Sequence, residues 1–83
     1  MSKSGYHLRK IEKGMLGEVS KVREELEELE DALEQGVKIM ALAELSDLYG
    51  AVEALAENMG VTMQDLADMS LVTKRAFMSG GRR

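Results

Sequence analysis

Apolar residues in the first half of the chain follow one another at intervals of four and three: Ile11, Met15, Val19, Val22, Leu26, Leu29 and Leu33. That spacing keeps one side of a helix apolar. It predicts a helix closed at Gly36, since a left-handed glycine commonly ends a helix. Gly14 and Gly17 weaken the early part of this run. They leave open a bend, a late start, or a close approach by a second helix. A second run, Ala41, Leu45, Leu48, Val52, Leu55 and Met59, is closed by Gly60. A third begins at Thr62, a residue type that caps helices, with Asp65 three positions on as in a capping box. Leu66, Met69, Thr73, Ala76 and Phe77 share one side of it.

These runs predict an all-α fold: an antiparallel helical hairpin plus a third helix. Leu42, Tyr49, Ala51 and Ala56 widen the apolar stripe of the second helix beyond what one partner helix covers. The bundle is therefore expected to be completed by oligomerisation. The 3–4 spacing also admits a coiled-coil dimer. The 83 residues make one domain over 1–83. A basic N-terminal segment covers about residues 1–10, and a loose tail about 79–83. A chain this short buries only roughly 60–65% of its extended surface, which again favours partner subunits.

Composition narrows the chemistry. There is no cysteine, so disulfides and thiolate metal sites are excluded. No apolar run approaches the ~18 residues of a membrane span, and the N-terminus lacks the apolar segment of a signal peptide. A cytoplasmic protein is the expectation. The formal net charge of −4 is unevenly distributed. Residues 1–23 balance at +4, residues 24–68 at −12 and residues 69–83 at +4. The acidic centre would repel a nucleic acid polymer. With its basic flanks it suits a cation and a phosphate held together, although a solvated charged face has the same composition.

The acids are concentrated in EELEELED, residues 24–31. If Val22, Leu26, Leu29 and Leu33 mark the core direction, Glu25 lies about 70° and Glu28 about 130° to one side of it. Glu30 flanks the other side, and Glu24, Glu27, Asp31 and Glu34 point away as solvated surface. On the second helix Glu44 and Asp47 have nearly the same offsets in the same sense, about 70° and 130°. In an antiparallel pair, flanks of equal sense fall on one side. Glu28 and Glu44 are equidistant from Gly36, as are Glu25 and Asp47, so each pair should sit level. Four such carboxylates at the edge of the core would repel one another unless a divalent cation joined them. Oxygen-only ligands favour Mg²⁺ or Mn²⁺. The alternative is a charged surface in which Glu44 and Asp47 pair with lysines.

E-E-L-E-E at 24–28, followed after fifteen residues by E-L-S-D at 44–47, resembles the E-E-x-x-E … E-x-x-D pattern of the MazG-like all-α nucleoside triphosphate pyrophosphohydrolases. That superfamily includes phosphoribosyl-ATP pyrophosphohydrolases and dimeric dUTPases. L-Y-G-A-V-E-A-L after the second pair is similar to the apolar continuation of that helix in the family, and the likeness spans about residues 15–60. The resemblance implies a Mg²⁺-dependent enzyme that splits a nucleotide between its α and β phosphates, leaving a monophosphate and pyrophosphate. It implies Glu25, Glu28, Glu44 and Asp47 as metal ligands. Glu24, Glu25 and Glu28 become catalytic positions, with Glu24 orienting water, and Lys74 and Arg75 become partners for the substrate phosphates. It also implies a homo-oligomer, dimer or tetramer. For Lys74 and Arg75 a simple charge preference at a helix C-terminus competes. Tyr49 reads as a packing residue, His7 as a surface residue of the basic segment, and the methionines as adaptable filling. A non-catalytic helical oligomerisation or regulatory module with a relict acidic cluster is the alternative function, and a different phosphate ester is a third.

Overall fold

The computed structural model describes residues 7–78, with side chains as far as Lys74. Every regular element among them is helical: α1 (Val19–Gln35), α2 (Lys38–Asn58) and α3 (Met63–Met78). α1 and α2 form the antiparallel hairpin, and among the described residues α3 makes at most slight contact with either. None of these helices is long and apolar enough to cross a membrane. The tail at 79–83 and most of the basic 1–10 segment lie outside the described residues.

The turn chemistry is as the sequence predicts. Gly36 takes φ +74° and its N–H closes on the Leu33 carbonyl at 3.1 Å, ending α1. α2 ends in a Schellman arrangement: Gly60 has φ +80°, and the Val61 N–H reaches back to the Ala56 carbonyl at 3.0 Å. α3 opens with a reciprocal cap, in which the Asp65 N–H donates to Thr62 Oγ1 at 3.0 Å and the Thr62 N–H to Asp65 Oδ2 at 2.9 Å.

Two expectations need correction. The first apolar run does not make one helix from Ile11. α1 starts late, at Val19, and residues 7–18 run back alongside it, with Gly14 at Glu24 and Leu8 at Asp31. Gly14 makes this path possible. A Cβ there would lie 2.2 Å from the Ser20 carbonyl oxygen, so the segment crosses the start of α1 at a distance only glycine allows. The Met15 N–H to Ser20 Oγ and the Asn58 side chain to the Gly17 carbonyl fasten the crossing, at 3.0 and 2.9 Å.

The second correction concerns the core direction. Within the chain the face that α1 buries is not centred on Val22, Leu26, Leu29 and Leu33, of which Val22 and Leu29 are half-buried and the other two exposed. Leu26 is 45% and Leu33 61% exposed, whereas Glu24, Glu25, Glu28, Asp31 and Ala32 are buried. The buried face lies about 130° round the helix from the leucine stripe. α2 meets it with Ala41, Glu44, Ala51 and Ala56, and leaves Leu42, Leu45 and Tyr49 outward. Alanines on α2 let the two helices approach, and cationic and N–H groups from residues 7–21 compensate the acids of α1.

Candidate metal centre

Four carboxylates gather between α1 and α2. Glu25, Glu28, Glu44 and Asp47 each offer an oxygen, and these oxygens all lie within 4.8 Å of one another. Glu25, Glu28 and Glu44 are buried, Glu44 completely, and Asp47 is half-buried. These are the four carboxylates that the sequence spacing places together on one side of the hairpin. Their setting is not the half-exposed edge of a leucine core but the middle of the α1–α2 contact. Crowded carboxylates out of water oppose one another's ionisation, and a divalent cation relieves that opposition. Four oxygen donors within one ion's reach make a group that could hold a metal.

Glu24 also sits at this level, and its burial overturns the reading of it as solvated. Its carboxylate accepts the Gly14 N–H at 2.8 Å and the Lys21 ammonium at 3.1 Å. Burial alone would raise its pKa. The Gly14 and Lys21 hydrogen bonds prevail and hold it below the ordinary value. Glu24 is thus a clamp on the segment before α1, and its carboxylate also shares a hydrogen bond with Glu28 of the four. Lys21 bridges Glu24 and Glu25, its ammonium 3.0 Å from Glu25 and 3.1 Å from Glu24. Burial tends to lower the Lys21 pKa, but those two carboxylates raise it.

Asp31 is the second acid misread as surface. It is 1% exposed and accepts the Leu8 N–H at 2.8 Å, with His7 Nδ1 at 2.9 Å. Burial pushes its pKa up, yet the Leu8 N–H, His7 and Gln35 outweigh that and hold it below the usual aspartate value. His7, read as a surface residue, has a side chain only 3% exposed, with Nε2 at 3.3 Å from Glu44 and 3.7 Å from Glu28. Arg9 continues the attachment along α1 to Glu30 and Glu34. No single motif marks His7, Lys21 or Asp31 in the sequence. The usable signal was collective: a basic segment made non-helical by Gly14 and Gly17 precedes an acidic helix, and opposite charges draw the two together.

An open cleft of about 400 Å³ adjoins the cluster, lined by Leu16, Lys21, Glu25, Ser46, Asp47, Gly50 and Ala51. It is large enough for a small ligand. It places apolar wall, one ammonium and two of the four carboxylates together. Lys74 is exposed on α3, outside the hairpin that builds the centre. Arg75 lies in α3, and its side chain is outside the described residues. Tyr49 is 58% exposed and not buried in the chain's own core. Compared with protein-family models, curated proteins and solved structures, the chain matches none, so its functional reading rests on its residues and their geometry.

Proposed function

We propose that this protein is a Mg²⁺-dependent nucleotide pyrophosphohydrolase that cleaves a nucleoside triphosphate, or a related nucleotide, between the α and β phosphates. The observation that carries the reading is the group of four carboxylates within 4.8 Å, opening on a cleft that also holds Lys21. The resemblance of residues 24–28 and 44–47 to the MazG-like pattern falls on the same four side chains. Glu25, Glu28, Glu44 and Asp47 would hold the metal, Mg²⁺ or Mn²⁺ by their oxygen chemistry. The cation, when bound, supplies neutralisation of polyphosphate charge and a water made more acidic.

The chain's own groups do the rest. A carboxylate oxygen of the cluster that does not bind the cation accepts the proton of the attacking water. Lys21, fixed between Glu24 and Glu25, sets a positive charge at the cleft, where a phosphate oxygen gains most from it. Glu24 acts by positioning Lys21 and the Gly14 segment. Leu16, Gly50 and Ala51 give the cleft an apolar side from which water is displaced. Lys74 and Arg75 would join only if assembly brings an α3 over the cleft.

The outward leucine face favours assembly, and the protein is proposed to work as a homo-oligomer. It is also the one observation favouring a purely structural module. Phosphorus NMR on a panel of ribo- and deoxyribonucleoside triphosphates with Mg²⁺ separates the two. A monophosphate appearing with pyrophosphate is the expected result. A folded protein that turns over none of the panel with Mg²⁺ or Mn²⁺ would move the reading to the module.

A further inference from the structure

We propose that His7, Glu28 and Glu44 form a second divalent-cation position, one with a nitrogen donor, beside the all-oxygen position and sharing two of its carboxylates. One ligand atom from each of the three lies within 4.8 Å of the others. The histidine is what distinguishes this group from a patch of acids. Its side chain is 3% exposed and aimed inward, although it comes from an extended segment that had every opportunity to leave it in water.

The orientation of the ring follows from Asp31. An ionised carboxylate can only accept hydrogen bonds, and Asp31 already accepts the Leu8 N–H at 2.8 Å. His7 Nδ1, 2.9 Å from Asp31 Oδ2, is therefore the protonated nitrogen. The other ring nitrogen, Nε2, then points toward Glu44 at 3.3 Å and Glu28 at 3.7 Å. Three atoms of ligating type converge there. Ligand atoms about 2.1 Å from one ion stand roughly 3–4 Å apart, so these separations already suit common ligation. A histidine that ligates with one nitrogen while giving its other N–H to a carboxylate is the usual arrangement at metal sites. Asp31, buried and outside the four-carboxylate group, has that orienting position here.

A nitrogen donor changes which ion is preferred. Four carboxylates suit Mg²⁺, whereas one imidazole with two carboxylates favours Mn²⁺ and, more strongly, Fe²⁺, Co²⁺ or Zn²⁺. The inference shares Glu28 and Glu44 with the proposed hydrolase site but does not depend on hydrolysis.

His7 is the single histidine of the chain, which makes the test specific. Full-length protein without an affinity tag is loaded with Mn²⁺ alone and examined by pulsed EPR for ¹⁴N coupling from an imidazole ligand, with circular dichroism to verify the helices. The wild type should show the coupling, and His7→Gln should lose it together with at least tenfold in affinity at one position. Asp31→Asn should weaken that position about 10–100-fold while keeping the coupling at saturation. Asp47→Asn should keep the coupling throughout. Mn²⁺ bound without nitrogen coupling in the wild type overturns the proposal and leaves the all-oxygen position standing. So does coupling that survives in His7→Gln. Nitrogen coupling in a protein that hydrolyses no nucleotide sustains this inference and overturns the hydrolase reading.

Discussion

At the scale of single residues, the buried acids of α1 divide by what they touch. Glu25 and Glu28 converge with Glu44 and Asp47, while Glu24 and Asp31 hold the segment before α1 through the N–H groups of Gly14 and Leu8. The first set should be needed for activity and costly to the empty fold. Glu28→Gln and Asp47→Asn should each lower nucleotide hydrolysis more than about a hundredfold, since even groups that only support a ligand cost 10–100-fold. Their thermal midpoints without metal should be unchanged or higher, because repulsion is relieved. Phosphorus NMR and a thermal melt in chelator check both, and full activity in either variant would show that the site is elsewhere. The second set gives a pH dependence with a definite sign. Both carboxylates have folded pKa values depressed below their ordinary 4.5 and 3.8. The stability they contribute is thus present above those values and is lost as pH falls through the lower folded ones. The amide proton shifts of Gly14 and Leu8 should titrate with midpoints below 4.5 and 3.8 respectively, the Leu8 step disappearing in Asp31→Asn. Midpoints at or above the ordinary values would disprove the clamps.

At the scale of elements, two glycines make contrasting predictions. Gly36 has φ +74° with open space where a Cβ would go, so Gly36→Ala meets only the cost of the left-handed conformation, about 1–2 kcal/mol. It should lower the thermal midpoint by several degrees and leave the metal centre intact. Gly14→Ala places a Cβ against the Ser20 backbone, which cannot yield without moving the start of α1. It should cost about 1–3 kcal/mol and also release the Glu24 clamp, seen as loss of the low-pH shift at residue 14. The helix ends at Gly36 and Gly60 and the start at Thr62 were legible because local chemistry decides them. The late start of α1 was legible only as one of several outcomes of Gly14 and Gly17. The convergence of Glu25, Glu28, Glu44 and Asp47 was legible because it needs only a turn position and the helical rise. His7, Lys21 and Asp31 were not, because their neighbours depend on where a non-helical segment is laid down.

At the scale of the whole molecule, the hairpin turns its charged and alanine-lined surfaces inward and its leucines outward. Leu26, Leu33, Leu42 and Leu45 are exposed, and α3 lies mostly free of the hairpin. Large exposed apolar patches commonly mark interaction sites, which is why assembly is proposed. Sedimentation of the wild type at micromolar concentration should show a dimer or tetramer, and Leu26→Asp combined with Leu45→Asp should give a monomer. A monomeric wild type would remove the assembly, and with it the proposed route by which Lys74 and Arg75 approach a cleft.

The sequence by itself determined the antiparallel hairpin, the helix ends at Gly36 and Gly60 and the start at Thr62, since periodicity and capping act over a few residues. It also determined which four carboxylates converge, since that depends on counting from a turn. Only the tertiary structure decided which face of α1 is turned inward. A leucine stripe identifies an apolar surface without saying whether the same chain or another covers it. In this chain the acids could be buried because His7, Lys21 and the N–H groups of Leu8 and Gly14 compensate them from a segment whose path no local pattern sets. Compensation across such sequence distances is a property of the folded molecule, and the candidate metal centre depends on it.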